Sequence, residues 1–516
     1  MGRSGALEAS PSGNEPWWDN RLLLLALVLG SIVPLLYPPV PPLVDLMGHM
    51  GRYRVELDLA HSEWLQRYYS YRWAAIGNLG VDLLVRALGP LIGLELAVKL
   101  IVLSIPPLTV AGFLWVAREV HGRIPPTALF AIPFVYGHPF LFGFVNFTLS
   151  MALAFIAFAF WLRLARTGRT RLRAILFVPI SVIIFFCHTY GWGALGLLCF
   201  SAEAVRQHDR GIGWLRAGWT AALHASVMAL PVVIMLAWRS ETHGGMTSGW
   251  FDWDRKLIWL YAALRDRWQW FDVASVGLAA AVIVFALANS KLTFSRNLAF
   301  SGLVLLAAFL AVPWTVFGSA YADMRLAPYL IAVLLIAIRF RGDVDYPLAS
   351  GLAVAALLFF AVRLVATTAS LAIASNDQQA KLEALDHLPT GARVVSLVTL
   401  PCANDWPLPR DTHLGGMVIV RREGFSNDQW AVEGANLLGL RYTAAGAFAA
   451  DPSQIVRDPR CARPGDWTVE RAIRAIPRGR FDYLWLINPP PHDPKLLTGM
   501  HPVWRATGSI LYRINP

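Results

Sequence analysis

The sequence predicts a polytopic α-helical membrane protein that ends in a small extracytoplasmic α/β domain. Of its 516 residues, 56% are hydrophobic and only 15% are charged, and the mean hydropathy is +0.48. A soluble enzyme of this length would not carry so many apolar runs. After residue 374 the composition becomes polar, with short apolar runs between turn residues. These observations predict a membrane domain over 1–374 and a second domain over 375–516.

The apolar runs predict about eleven membrane helices. Several runs are shorter than the roughly 20 residues that cross a bilayer upright, which favours broken helices. No small-residue cleavage site follows the first run, so we interpret it as a retained signal anchor. The predicted spans are 21–37, 95–117, 125–137, 146–164, 174–190, 192–206, 217–238, 271–289, 297–316, 326–340 and 347–368.

The arginines and lysines predict the orientation of these spans. The net charge of +11 does not indicate nucleic-acid binding, because the basic residues gather in short loops between apolar runs, as in cytoplasmic loops. The opposite short loops contain only Arg325. The N-terminus is therefore predicted to be cytoplasmic, with the loops 38–94 and 239–270 and the C-terminal domain outside. A bacterial inner membrane, with that domain in the periplasm, fits this arrangement.

Within the C-terminal domain, "LPTGARVVSLVTL" and "RFDYLWLINPPP" predict buried strands. Cys402 and Cys461 both fall in this domain, where a periplasmic location favours a disulfide. Two free thiols are the alternative, because a sequence does not reveal proximity. Cys187 and Cys199 lie in predicted spans and are interpreted as apolar packing residues. No Cys/His spacing typical of a metal site occurs, so no metal ligands are predicted.

A polar stripe follows the first predicted span. Asp45, His49 and Arg52 have spacings of four and three, so they share one face if Pro41 and Pro42 begin a helix. The helix dipole would then keep the Asp45 carboxylate ionised and available as a base. A solvated helix face is the alternative interpretation.

Further along the first external loop, Asn78, Asp82 and Arg86 recur at intervals of four. They either line a cleft or pair Asp82 with Arg86.

Polar residues recur in three other turns at the same membrane face. Ionisable residues at a membrane edge are costly and usually face a cavity. Any one histidine could be a packing residue, but together these turns indicate a site at the outer face. The residues are His138 and Asn146, then His188 and Tyr190, then Asp323 and Arg325.

Tryptophans surround several basic residues in the second external segment, 239–270. The tryptophans favour an interfacial aromatic belt over a sugar-stacking platform. Arg265 and Arg267 are candidates to bind a lipid phosphate. The two roles are compatible.

In architecture, the whole chain resembles the integral-membrane glycosyltransferases of the GT-C fold class. The resemblance rests on an N-inside first helix, a large external loop with an acid near its start in "PLVDLMGHMGRY", many further spans, and a C-terminal extracytoplasmic domain. It implies a polyprenyl-phosphate-linked sugar donor and a glycan, lipid or protein acceptor at the outer face. No paired Asp-x-Asp or Asp-Glu occurs in that loop. The sequence therefore specifies no cofactor and does not decide whether the reaction uses a divalent metal.

The resemblance nominates Asp45 as the general base of an inverting displacement. It implies cations or hydrogen-bond donors for the departing phosphate and polar groups for the sugar hydroxyls. The former are Arg325, Arg52, His138 and His188; the latter are Asn146, Tyr190 and Asp323, with His49 on the Asp45 stripe as a further substrate-binding residue. A transporter or lipid flippase, which would carry ionisable groups near mid-membrane, and a non-catalytic membrane scaffold are the alternatives.

Overall fold

The computed structural model describes residues 16–238, 246–316, 318–431 and 436–515. Residues 239–245 of the predicted second external segment lie outside the described residues. The α-helices that precede the C-terminal sheet are α1 Arg21–Gly30, α2 Val33–Leu36, α3 Leu46–Asp58, α4 Glu63–Tyr68, α5 Gly80–Ile92, α6 Leu94–His121, α7 His138–Phe142, α8 Val145–Arg166, α9 Thr170–Cys187, α10 Thr189–Asp209, α11 Trp214–Ala225, α12 Leu230–Trp238, α13 Trp253–Tyr261, α14 Gln269–Ala288, α15 Arg296–Ala311, α16 Ala327–Ala337 and α17 Tyr346–Leu382. Among the 3₁₀ segments between them are Pro126–Tyr136 and Met324–Leu326.

The chain is a multi-pass membrane protein. Within the described ranges, five helices are long and apolar enough to cross a membrane, namely α6, α8, α9, α14 and α17. The pair α11 and α12, bent by 59°, would be a sixth crossing. Every predicted span overlaps a helical segment, but several, such as the 3₁₀ stretch Pro126–Tyr136, are too short to count as crossings by length. The number eleven therefore stays a prediction.

Helix α17 continues well beyond the predicted span 347–368. Asp345 caps its start by accepting a hydrogen bond from the Leu348 amide, and the helix then runs for 37 residues. Its interior has no glycine after Gly351 and no proline, so nothing in the sequence ends it earlier. The predicted domain boundary at 374 thus falls inside a continuous helix.

The C-terminal domain is built on a six-stranded sheet. Its central strand β4 pairs in parallel with β5, β7 and β8, and antiparallel pairs then join β8 to β10 and β10 to β9. The two strands predicted from sequence are β4 and β8, so both are confirmed. The strands are β1 Tyr69–Tyr71, β2 Leu292–Phe294, β3 Ile338–Phe340, β4 Arg393–Leu400, β5 Phe425–Ser426, β6 Leu438–Leu440, β7 Ile455–Arg457, β8 Tyr483–Ile487, β9 Met500–Ala506 and β10 Ser509–Ile514; the helices here are α18 Gly416–Arg422 and α19 Val469–Ala475.

The first loop and the C-terminal domain pack directly on each other. Strand β1 of the loop pairs antiparallel with β6 of the domain. Helices α3 and α18 touch where Gly416 has no side chain, since a Cβ there would lie 2.4 Å from the Met47 carbonyl oxygen. Two segments far apart in the chain therefore meet at one place.

A buried ion pair and an indole hydrogen bond attach the segment 405–411 to the membrane helices and the loop before α14. Arg410 donates to Asp266 at 2.7 Å, and the Ser370 hydroxyl of α17 donates to the same carboxylate at 2.7 Å. The Trp406 indole donates to Asp272 of α14 at 2.8 Å. Arg410, Ser370 and both carboxylates are buried, so each relies on its partner for the solvation that it has lost.

We expect Asp266→Ala to destabilise the protein by about 3–5 kcal/mol, because the buried Arg410 guanidinium would lose its countercharge. Asp386→Ala is the matched control, since its pair with Arg422 leaves the Asp386 side chain 79% exposed and such pairs contribute about 1 kcal/mol or less. Denaturant unfolding of the purified protein in detergent measures both. Equal unfolding midpoints would contradict a stabilising role for this ion pair.

Candidate functional site

A cavity of about 830 Å³ lies between the membrane helices and the C-terminal domain. The first loop, the turns before α8 and α10, the segment 318–325 and the C-terminal domain all contribute to its wall. Eight of the predicted site residues line it: Asp45, His49, Arg52, His138, Asn146, His188, Arg265 and Arg325. The cavity thus brings together residues from five separate polar stretches of the sequence.

Asp45 stands immediately before helix α3, as its N-cap residue. The prediction that Pro41 and Pro42 begin this helix is wrong, because the amides of Val44 and Asp45 donate instead to the carbonyls of Leu141 and Phe142. The facing turn requires Gly143, whose φ is +98° and whose Cβ would meet the Asp45 amide nitrogen at 2.7 Å. This turn fixes the backbone of Asp45 in the cavity wall.

Burial has a larger effect on the pKa of the Asp45 carboxyl than the helix dipole on which the sequence-based expectation relied. Its side chain makes no cap hydrogen bond to α3. Burial raises the pKa of Asp45 to about 7, while His413 acts in the opposite direction and Asp451 adds to the rise. A carboxyl with this pKa can both accept and release a proton near neutral pH.

His413 lies in the same wall and pairs with Asp428, a fully buried acid that does not line the cavity. His413 Nδ1 lies 2.5 Å from Asp428 Oδ1, and His413 Nε2 lies 3.7 Å from Asp45 Oδ1. The Trp430 ring packs against the imidazoles of His413 and His49, with centroids 4.4 and 4.9 Å apart. Burial opposes charge on His413, but the neighbouring Asp428 raises its pKa to about 9. The contact with Asp428 therefore favours the charged form of the imidazole.

Three arginines in the cavity wall have no carboxylate within 4.0 Å among the described residues: Arg265, Arg325 and Arg457. Arg325 is buried against the rings of Phe144 and Tyr190, at 4.5 and 5.2 Å from their centroids. It donates to the Ser319 hydroxyl at 3.0 Å, and its Nε has no partner. Arginines without acidic partners make this cavity attractive to anions.

His138 and His188 differ in the hydrogen bonds that their ring nitrogens make. His138 is buried and neither ring nitrogen has a hydrogen-bond partner, so both are free for a ligand. His188 Nδ1 accepts from the Tyr190 amide at 3.1 Å and so caps helix α10. His138 is therefore the stronger ligand-binding residue of the two.

Two other predicted residues reach the cavity but have partners inside the protein. Arg52 forms a buried ion pair with Asp82, with Nε 3.0 Å from Oδ1, so Asp82 does not pair with Arg86. The Asn146 amide accepts from the Val81 amide at 2.5 Å and donates to Asn78 and Asp82. The Asn146 contacts hold α5 against α8, and both residues use polar groups on internal partners that the predicted ligand-binding roles would need.

Three predicted residues lie outside the cavity lining: Tyr190, Asp323 and Arg267. Asp323 is fully buried in an ion pair with Lys256 at 3.0 Å, so its carboxylate is not available to a sugar. The Tyr190 ring contacts the guanidinium of Arg325. Sequence periodicity could not reveal these partners, because each lies on a different helix or turn.

The cysteines occupy the environments expected of them. Cys402 and Cys461 form a disulfide, and Cys402 lines the cavity. Cys187 and Cys199 are buried free thiols within the helical region.

The residues that sequence analysis missed all come from the C-terminal domain. His413, Asp428 and Asp451 have potential ligand atoms within 4.8 Å of one another and could hold a metal ion. Trp430 packs beside them. The sequence signal was weak, namely a histidine and acids inside polar loop stretches such as "PRDTHLGG" and "FSNDQW", without the regular spacing of a metal motif.

No protein-family model matches this sequence, and no curated protein matches it. Two solved structures of ArnT from Cupriavidus metallidurans align with the chain. The apo form is 14% identical, with 96% of this chain and 98% of the other covered and a TM-score of 0.48. The form bound to undecaprenyl phosphate is 12% identical, with 96% and 99% covered and a TM-score of 0.49. Similarity at this level does not define an activity.

Proposed function

We propose that this protein is a membrane glycosyltransferase that moves a sugar from a polyprenyl-phosphate-linked donor to an acceptor. The observation that carries the proposal is one shared cavity, in which the partly buried carboxyl of Asp45 lies with arginines that have no carboxylate within 4.0 Å among the described residues. Transfer from a lipid phosphate needs a base for the acceptor and cations for the departing phosphate. The cavity volume of about 830 Å³ also suits a substrate of sugar-phosphate size.

In the proposed reaction the acceptor hydroxyl oxygen attacks the anomeric carbon while the bond from that carbon to the phosphate oxygen breaks. Asp45 takes the hydroxyl proton, and the electron pair of the broken bond leaves with the phosphate. Arg325, Arg265 and His138 bind the departing phosphate by charge and hydrogen bonds. A single displacement of this kind inverts the anomeric centre.

The proposed location is the outer face of a bacterial inner membrane, with the C-terminal domain in the periplasm. The disulfide between Cys402 and Cys461 supports an oxidising compartment for this domain. The basic loops predicted to be cytoplasmic support the same orientation.

The test is transfer of label from a panel of polyprenyl-phosphate sugars to membrane extract by the purified protein. We expect label in a chloroform-insoluble or larger lipid product that depends on the protein. The protein would instead be a transporter if no sugar in the panel were transferred and if the protein moved lipid or solute across liposome membranes.

A further inference from the structure

A second chemical centre lies in the part of the cavity wall that the C-terminal domain supplies. His413 precedes α18, Asp428 follows β5, and Asp451 precedes β7. Their potential ligand atoms all lie within 4.8 Å of one another. Three loops of the C-terminal domain therefore place one imidazole and two carboxylates close together.

Among the described residues, the two carboxylates of the cluster have one cationic side chain within 4.0 Å between them, namely His413. Asp428 is completely buried, and its only ion-pair partner among the described residues is His413. Asp451 has no lysine, arginine or histidine within 4.0 Å in the same described part of the chain, and the Asp45 carboxyl faces the imidazole from α3. Buried carboxylates are costly unless they are paired or bind a metal.

An unpartnered amide oxygen supplies an independent indication of a ligand. Gln454 is completely buried, and its Nε2 donates to Asp451 Oδ1 at 2.5 Å and to Asp428 Oδ1 at 3.3 Å. Its Oε1 has no hydrogen-bond partner. Rotation of the Gln454 amide by half a turn exchanges the positions of Nε2 and Oε1, so that the oxygen faces both carboxylates. Amide oxygens are common ligands of divalent cations.

The surrounding contacts hold the potential ligands in place. The Gly416 amide donates to Asp428 Oδ2 at 3.0 Å, and the Asp451 amide donates to the Gln429 carbonyl at 3.0 Å. The distance of 3.7 Å from His413 Nε2 to Asp45 Oδ1 is too long for a hydrogen bond. It nevertheless places a carboxylate beside the second ring nitrogen, as is usual for a metal-bound histidine.

We propose that His413 Nδ1, Asp428 and Asp451 bind a divalent cation, with the Gln454 amide oxygen as a fourth ligand. One imidazole and several oxygens suit Mn²⁺ or Zn²⁺. Binding replaces the proton that His413 Nδ1 shares with Asp428, and that proton is released to solvent. This inference does not depend on the proposed function, since it concerns the cation alone.

The test is metal binding by the purified full-length protein. Metal content after dialysis is measured by mass spectrometry, and Mn²⁺ is then titrated into chelator-treated protein and followed by its electron paramagnetic resonance signal. We expect one tightly bound cation per chain in the wild type, and at least tenfold weaker Mn²⁺ binding in Asp451→Asn. The exposed Asp386→Asn variant is the matched control and should bind as the wild type does.

Gln454→Leu is the second variant, for use if Asp451→Asn does not give a monodisperse protein. It removes the fourth ligand and should also weaken Mn²⁺ binding. The proposal is overturned if the wild type binds neither Mn²⁺ nor Zn²⁺ at millimolar concentration, or if the folded variants bind as tightly as the wild type. Failure of sugar transfer would not affect this result, because no sugar is present in the experiment.

Discussion

Asp45→Asn is expected to lower the rate of sugar transfer by a factor of about 10²–10⁴, the usual contribution of a general base. Asparagine keeps the shape of the side chain but cannot take the acceptor proton. The Asp45 side chain makes no cap hydrogen bond, so the start of α3 should be unaffected. The effect should therefore fall on kcat, with donor affinity nearly unchanged.

Initial rates with a polyprenyl-phosphate sugar that the wild type accepts would measure this loss. Glu63→Gln is the matched control, because Glu63 is an exposed acid in the same loop and does not line the cavity. Loss of a general base lowers the rate by more than about tenfold. If the Asp45→Asn protein kept more than about a tenth of the wild-type rate, Asp45 would therefore not be the base.

Arg325→Met should weaken binding of the lipid donor by about 10- to 100-fold, because a hydrogen bond to a charged group contributes about 1.5–3 kcal/mol. Methionine fills much of the space against Phe144 and Tyr190 but has no charge to offer a phosphate. The guanidinium has no acidic partner among the described residues, so its removal leaves no carboxylate unpaired.

Binding of a polyprenyl phosphate to the protein in nanodiscs would test this expectation. Arg267→Met serves as the control, since Arg267 is a nearby arginine outside the cavity lining. Equal affinities of the wild type and Arg325→Met would place the phosphate elsewhere in the cavity.

Local features explain what could be predicted from the sequence. Apolar runs and short polar turns are properties of neighbouring residues, so the helical segments, strands β4 and β8 and the polar turns around His138 and Arg325 could all be found. Helix ends were less predictable. The start of α3 depends on hydrogen bonds to the turn at Leu141, which is remote in the sequence.

Partner choice could not be predicted, because it depends on which distant segments meet. Asp82 and Asp323 look alike in sequence as acids near a membrane edge, yet both are neutralised by a basic residue on another helix. His413 reaches Asp45 only because α18 packs on α3 through Gly416. A single sequence contains no periodicity that connects such residues.

Helix α17 connects the apolar, membrane-spanning part of the protein to the segment 405–411, which contributes to the cavity wall. Its 37 residues span about 55 Å at 1.5 Å per residue, whereas the hydrocarbon core is about 30 Å thick. The helix is attached near its far end to the segment 405–411, where Gln378 donates to the Arg410 carbonyl at 2.7 Å. A thinner bilayer tilts such a helix, and we expect the attachment at Gln378 to pass part of this tilt to the cavity wall. Lipid thickness is thus a variable to control when the activity is measured.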